Sequence, residues 1–103
     1  MTYKLEYLPV AREDLLEIAR YITNELGNPR AAERLITLLI NKSEGLREMP
    51  YVNPQYIPIR PMKREYRKLK VKNYLVFYWV DEGEKQITVA RVIYSKRNYE
   101  EQL

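Results

Sequence analysis

The spacing of apolar and polar positions predicts a short strand followed by two helices. Residues 3–8 alternate between apolar and charged side chains, as in a half-buried strand. Apolar residues recur at helical spacing over residues 11–26 and again from residue 28 to about residue 48. Gly27 is placed to cap the first helix, and Asn28-Pro29 is placed to begin the second. So short a connection predicts an antiparallel helical hairpin.

The second half of the chain changes to the two-residue period of strands. Four prolines within residues 50–61 indicate an irregular loop between the helices and these strands. Apolar and basic residues then alternate over residues 66–72, as in a strand with one exposed face. Residues 74–80 are apolar on both faces, which is typical of a central strand, and residues 86–94 are rich in β-branched side chains.

The predicted order is therefore β-α-α-β-β-β. It indicates an α+β fold in which the helical hairpin packs on one face of a small antiparallel sheet. No repeat, low-complexity tract or boundary interrupts residues 1–103, so we expect a single domain.

The composition narrows the possible chemistry. The chain contains neither cysteine nor histidine, which excludes disulfides, thiolate metal sites and the commonest general base. We therefore expect no metal and no cofactor, and any catalysis must use Arg, Lys, Tyr, Asp or Glu. No carboxylate pair of the kind that metal-dependent or glycosidic hydrolysis needs is recognisable. Without a signal peptide or a membrane-spanning stretch, we expect a soluble cytoplasmic protein that contacts no membrane.

The net charge of +4 is unevenly distributed. Residues 1–59 contain seven Lys or Arg against eight Asp or Glu, whereas residues 60–103 contain eleven against six. Seven of the basic residues lie between Arg60 and Lys72, with Glu65 as the one acid among them. A positive field concentrated in this way attracts phosphate backbones or an acidic protein.

Individual cations permit two interpretations each. Lys68 and Lys70 share one face of a strand, where they could face phosphate or could keep a sheet edge solvated and unpaired. Arg91 lies in register with apolar residues of the last strand, so it either faces a target or pairs with an acid such as Asp81. The same alternatives apply to Arg67.

Aromatic residues divide in the same way. The aromatic residues of 74–80 are expected in the core, whereas Tyr94 and Tyr99, near Lys96 and Arg97, are better placed for contact with a partner. The predicted surface for a target or nucleic acid consists of Arg64, Arg67, Lys68, Lys70, Lys72, Arg91, Tyr94, Lys96 and Arg97.

The order of short motifs resembles the RelE/ParE superfamily of toxins from type II toxin–antitoxin systems. The matching pieces of the C-terminal half are Tyr66-Arg67, the run from Tyr74 to Tyr78 with Val80, an acidic hairpin, Arg91-Val92-Ile93 and Lys96-Arg97. Those of the N-terminal half are Ala11 to Leu15, Ile18, Tyr21-Ile22 and Ala31-Ala32. The resemblance covers nearly the whole chain.

The resemblance implies a toxin encoded beside an antitoxin, whose C-terminal segment wraps the toxin and neutralises it. ParE-type members poison DNA gyrase. RelE-type members cut mRNA on the ribosome, with Lys, Arg and Tyr residues and without metal. A RelE-like activity would make this chain a metal-independent endoribonuclease, an mRNA interferase, with Lys68, Lys70, Arg67, Arg97 and Tyr99 as its catalytic residues.

One departure favours the ParE branch. RelE-type toxins carry an arginine directly after the tyrosine that begins the central strand, but here Leu75 follows Tyr74. Lys68 falls at one RelE lysine position and Tyr66 at the other, Arg97 falls at a catalytic arginine, and Tyr99 is an approximate counterpart of the catalytic tyrosine. We therefore predict a ParE-like toxin that binds a macromolecular target, with DNA gyrase as the candidate. The alternative is a RelE-like toxin that acts on mRNA at the ribosome, and a third possibility is a relic of the toxin fold that only binds its partner.

The expected partner is an acidic antitoxin that forms a hetero-oligomer with the toxin. We expect its C-terminal segment to add a helix or a strand across the sheet face and the hairpin. Two features motivate this prediction: the positive C-terminal half, and a core that looks too small to cover both faces of residues 74–80.

Overall fold

The computed structural model describes residues 2–57, 64–97 and 103. Its elements follow the predicted order and are β1 (Lys4–Tyr7), α1 (Pro9–Arg20), a π-helical turn (Tyr21–Glu25), α2 (Pro29–Glu44), a 3-10 turn (Gly45–Arg47), β2 (Arg67–Val71), β3 (Tyr74–Asp81) and β4 (Gln86–Tyr94).

The helical hairpin is confirmed, with the end signals that the sequence indicates. Gly27 has a φ of +62°, the left-handed conformation that ends a helix and that glycine adopts without strain. The Asn28 side chain accepts a hydrogen bond of 3.1 Å from the N–H of Ala31, and Pro29 occupies the first turn of α2. The first helix differs in one respect, because its last turn is π-helical.

The sheet is mixed, in the order β1-β4-β3-β2. Strands β2, β3 and β4 form the predicted antiparallel meander, but β1 pairs with β4 in parallel. The prediction of a wholly antiparallel sheet was therefore wrong for β1, since alternation along a strand reports which face is buried and contains no information on direction. A register shift between Phe77 and Tyr78 interrupts the pairing of the two central strands.

Both faces of the sheet are covered by the chain itself. On the helix side, Val76 and Tyr78 of β3 pack in one buried cluster with residues of both helices. On the opposite side, Phe77 lies under Tyr56 and Tyr66, whose rings stand edge-on to it at 5.5 and 6.5 Å. Because all three β3 side chains are 0% exposed, the prediction that the core leaves a face of β3 for a partner was wrong. The loop before β2 supplies the missing cover.

Within the ranges that the structure describes, no helix is long and apolar enough to cross a membrane.

Candidate functional site

Strand β2 lies at an edge of the sheet, and its alternation sorts the basic residues onto two faces. Leu69 and Val71 pack into the helix-side core, so Arg67 shares their face. Lys68 and Lys70 consequently point to the face away from the helices, as the sequence predicts.

On that face, cations lie over aromatic rings. The Arg64 guanidinium carbon is 4.3 Å from the centroid of the Trp79 ring, and the Lys68 Nζ is 5.5 Å from that of Tyr56. Lys70 beside them is exposed. We call these five residues the cation–aromatic surface. Among the described residues no carboxylate forms an ion pair with its three cations, so the surface offers positive charge next to apolar rings.

Arg67 does not belong to this surface. Its Nη1 donates to the Asn53 carbonyl at 2.7 Å, and its guanidinium carbon is 4.8 Å from the centroid of the Tyr51 ring. The neighbouring Tyr78 hydroxyl donates to the Pro50 carbonyl at 3.0 Å and accepts from the Asn53 amide at 3.2 Å. Arg67 therefore holds the loop before β2 against the sheet.

Arg91 also makes an internal contact, in its case with an acid on α1. Its Nε and Nη2 donate to the two carboxylate oxygens of Asp14, each at 2.8 Å, and the Val92 N–H donates to the same carboxylate at 2.9 Å. Hydrogen bonding to Asp14 raises the pKa of Arg91 above its usual value. The prediction of Asp81 as a candidate partner of Arg91 was wrong, because Asp81 accepts instead from the Glu84 N–H in its own turn.

Asp14 is the residue that sequence reasoning missed, although a signal was present. It lies three residues after Ala11 and four before Ile18, both on the buried stripe of α1. A carboxylate at such a position must find a cation or a donor inside the protein.

A second carboxylate, Glu82 in the turn between β3 and β4, was also missed. It accepts hydrogen bonds from the hydroxyls of Tyr3 and Tyr51 and from the ammonium of Lys85. Hydrogen bonding to Lys85, and then to the two tyrosines, lowers the pKa of Glu82 to about 2. The hydrogen bond to Glu82 raises the pKa of Tyr51 to about 12. Glu82 thereby links Tyr3, directly before β1, and Tyr51, after α2, to the β3–β4 turn.

The remaining predicted residues lie at the end of the sheet where β4 stops. Lys72 occupies the β2–β3 turn with a φ of +56° and is exposed. Tyr94 contacts Tyr74 edge-on at 5.6 Å, and Lys96 and Arg97 follow it on the surface.

Arg97 faces the helical hairpin. It lines a groove of about 760 Å³ together with Glu17, Tyr21 and Tyr74. Tyr99 lies outside the described residues.

The structure thus divides the predicted site. Lys68 and Lys70 come together with Arg64, whereas Arg67 and Arg91 are engaged in internal contacts, and Arg97 lies by the groove. Leu75 is 5% exposed and belongs to the buried cluster beneath the cation–aromatic surface. Within the described part of the chain, no group of three or more acidic residues could hold a metal ion.

Comparison with known proteins relates this arrangement to one family. A family model described as the ParE toxin of type II toxin–antitoxin system, parDE, matches residues 5–99. No curated protein matches the sequence.

Several solved toxins share the fold at low identity. The chromosomal ParDE system of P. aeruginosa superposes with a TM-score of 0.75 and 16% identity, over 92% of this chain and 98% of that one. The RelBE2 toxin–antitoxin complex of Mycobacterium tuberculosis gives 0.68 and 17%, over 91% and 92%. A mutant of the E. coli toxin RelE in the free state gives 0.66 and 16%, over 99% and 93%.

Proposed function

The chain belongs to the ParE toxin family of type II toxin–antitoxin systems, and on that premise we propose that it arrests growth by binding a macromolecular target, with DNA gyrase as the candidate, and without cutting RNA. The interior position of Leu75, where a RelE-type toxin needs an arginine, is the observation that carries this proposal.

Cleavage of RNA by its own 2′-hydroxyl needs a base, an acid and cations that converge on one phosphate. Leu75 points into a buried cluster and supplies no charge there. The guanidinium of Arg67, a second candidate, donates to the Asn53 carbonyl and lies over the Tyr51 ring. Lys68 and Lys70 provide positive charge, but the described residues beside them include no defined acid or base.

The cation–aromatic surface supports binding instead. The exposed Arg64 and Lys70 and the half-buried Lys68 combine positive charge with the rings of Tyr56 and Trp79. Surfaces of this composition bind acidic protein segments or nucleic acid, with an affinity that falls as salt screens the charges.

We further propose that the partner that neutralises this toxin is an acidic antitoxin encoded beside it. The ParDE and RelBE structures that share its fold are toxin–antitoxin systems. An excess of five basic residues in positions 60–103 (eleven against six) gives an acidic partner a complementary surface on this chain.

Brief expression in cells, followed by a gyrase assay with the purified protein, tests the proposal. We expect filamentation with DNA damage, intact mRNA and inhibition of supercoiling in vitro.

Replacing Lys68 and Lys70 by Ala should weaken this inhibition of supercoiling at least about threefold. Replacing the exposed Lys4 and Arg12 by Ala removes the same charge elsewhere and should leave inhibition unchanged. Rapid translation arrest with cut mRNA and an unaffected gyrase would overturn the proposal in favour of the RelE-like activity.

A further inference from the structure

We propose that the target of this toxin makes a second contact in an apolar groove along α2, where it inserts an amphipathic helix. Acidic side chains on the flank of that helix lie beside Lys72 and Arg34. This inference rests on the proposed function and adds a second contact site, its occupant and the residues that select the occupant.

The groove runs along α2 and has a volume of about 840 Å³. Ala31, Leu35 and Leu38 line it at helical spacing from α2. Leu26, at the tip of the helical hairpin, also lines it and is 60% exposed. We call this feature the α2 groove. Of the described residues that border the ranges outside the description, none lines it (Ile57, Arg64, Arg97 and Leu103).

Two different elements supply cations to the α2 groove. Arg34 lines it from α2 and Lys72 lines it from the β2–β3 turn, and Glu33 is the one acid among the described lining residues. Neither cation forms an ion pair within the described part of the chain. The groove therefore combines apolar side chains with positive charge at its margins, which suits an apolar helix face that has acids beside it.

The backbone of Lys72 indicates that its side chain serves an outside contact. Its φ of +56° is strained for a residue with a Cβ, and glycine or asparagine is usual where a two-residue hairpin turn requires it. Lys85 has a similar φ of +52°, but its ammonium binds Glu82 and its carbonyl accepts the Lys4 N–H at 2.8 Å. The Lys72 side chain makes no hydrogen bond or ion pair with any described residue. Strain without an internal use points to function.

The walls of the α2 groove favour a helix as its occupant. The backbone of α2 is already hydrogen-bonded within the helix, so the occupant must satisfy its own backbone groups, as an α-helix does. Residues 31–41 of α2 rise about 15 Å, enough to pack against about three helical turns. A phosphate backbone gains nothing from the apolar side chains of Leu26, Leu35 and Leu38, so a protein segment is favoured over nucleic acid.

Continuity with the cation–aromatic surface favours the target as the occupant. Lys70 of that surface and Lys72 are separated by one residue, so one partner can contact both. A strongly acidic partner such as the proposed antitoxin meets more uncompensated charge at the cation–aromatic surface, because Glu33 offsets one of the two cations of the α2 groove. The groove therefore suits a partner that is held there chiefly by apolar contacts.

Variants of Lys72 test the charge, with growth arrest in cells and inhibition of gyrase supercoiling as readouts. Lys72→Gly should raise the Tm by about 4 °C, because glycine adopts a positive φ without strain, and should weaken inhibition at least about threefold. Lys72→Arg keeps the charge and should inhibit like the wild-type chain. Lys85→Gly makes the matched backbone change in the β3–β4 turn and should leave inhibition unchanged.

A second pair of variants tests the apolar contact. Leu26→Glu places an acid where the acidic helix should bind and should weaken inhibition at least about tenfold. Leu16→Glu makes the same change at a position of α1 that is 52% exposed and does not line the groove, and it should have no effect.

Unchanged inhibition by both Lys72→Gly and Leu26→Glu would overturn the inference. A loss with Lys72→Gly alone would indicate a phosphate contact and would contradict the helix. Weaker binding to the antitoxin with unchanged inhibition would assign the α2 groove to the antitoxin instead of the target. If the wild-type chain arrests growth without inhibiting gyrase, the proposed target is wrong, and growth arrest by the four variants still decides whether the groove is used.

Discussion

Where α1 meets β4 the charges are paired, whereas the face of the sheet away from the helices leaves its cations on aromatic rings. Asp14 of α1 and Arg91 of β4 form a bidentate ion pair, with side chains only 11% and 19% exposed. On the face away from the helices, Arg64 and Lys68 lie over Trp79 and Tyr56, and within the described residues no carboxylate pairs with them. The first arrangement stabilises the fold, and the second leaves positive charge available to a partner.

The contrast teaches that position along a strand does not distinguish cations with internal hydrogen bonds from cations that face outward. Arg67 and Lys68 are neighbours in sequence, yet one anchors a loop and the other faces outward. The difference comes from the face of the strand and from whether an acceptor inside the protein is within reach. Removing Asp14 should therefore lower stability, whereas removing the lysines of β2 should weaken binding.

The largest effect is expected at Asp14. Asp14→Ala removes both hydrogen bonds to Arg91 and the one from the Val92 N–H, and with them the bidentate ion pair of a partly buried guanidinium. We expect the free energy of unfolding to fall by about 3 kcal/mol, measured by urea denaturation.

A neighbouring exposed pair provides the control. Glu13 and Arg20 lie 3.5 Å apart on the same helix, with side chains 54% and 59% exposed. Glu13→Ala should therefore cost less than about 1 kcal/mol. Similar losses for Asp14→Ala and Glu13→Ala would contradict the distinction between the partly buried pair at the α1–β4 contact and charges on the surface.

An intermediate effect is expected at Glu82, and it should depend on pH. Its pKa is lowered in the fold from 4.5 to about 2, so its contribution to stability is complete above pH 4.5 and is lost as the pH falls toward about 2. In thermal melts between pH 7 and pH 2, Glu82→Gln should show a shallower decline of Tm than the wild-type chain. Glu84→Gln, in the same turn, should follow the wild-type curve, and a curve for Glu82→Gln that parallels the wild type would contradict the assignment.

The sequence predicted the elements well because their signals are local. Gly27 and Asn28 mark helix ends through their own conformation and hydrogen bonding, and both are confirmed. Strand direction and the cover over Phe77 depend on residues far along the chain. Tyr56 lies in a proline-rich segment without periodicity, so no local pattern predicts that its ring packs on Phe77 and covers the second face of the sheet.

The candidate site was harder to predict for a related reason. Alternation placed Lys68 and Lys70 on one face, because a period of two is a property of the strand itself. Arg91 was recognised as needing a partner, but its acid lies 77 residues earlier in the chain. Asp14 and Glu82 act through contacts between distant segments, which composition and spacing do not encode.

The smallest effect on stability is expected at the cation–aromatic surface. Changing both Lys68 and Lys70 to Ala tests whether these lysines contribute to the stability of the fold. Neither lysine pairs with an acid among the described residues, so the free energy of unfolding should stay within about 0.5 kcal/mol of the wild-type value. Removing two like charges from one strand face relieves their repulsion, which offsets part of the lost contact between Lys68 and Tyr56.

The same double variant should lose salt-dependent association with an acidic partner, in titrations at low and high ionic strength. This pairing of unchanged stability with weakened binding is the reverse of what Asp14→Ala should show. A loss of stability above about 1 kcal/mol would place these lysines with Arg91 among the residues that hold the fold together. In that case the positive face would be a structural feature, because charges committed to folding are not free to meet a partner.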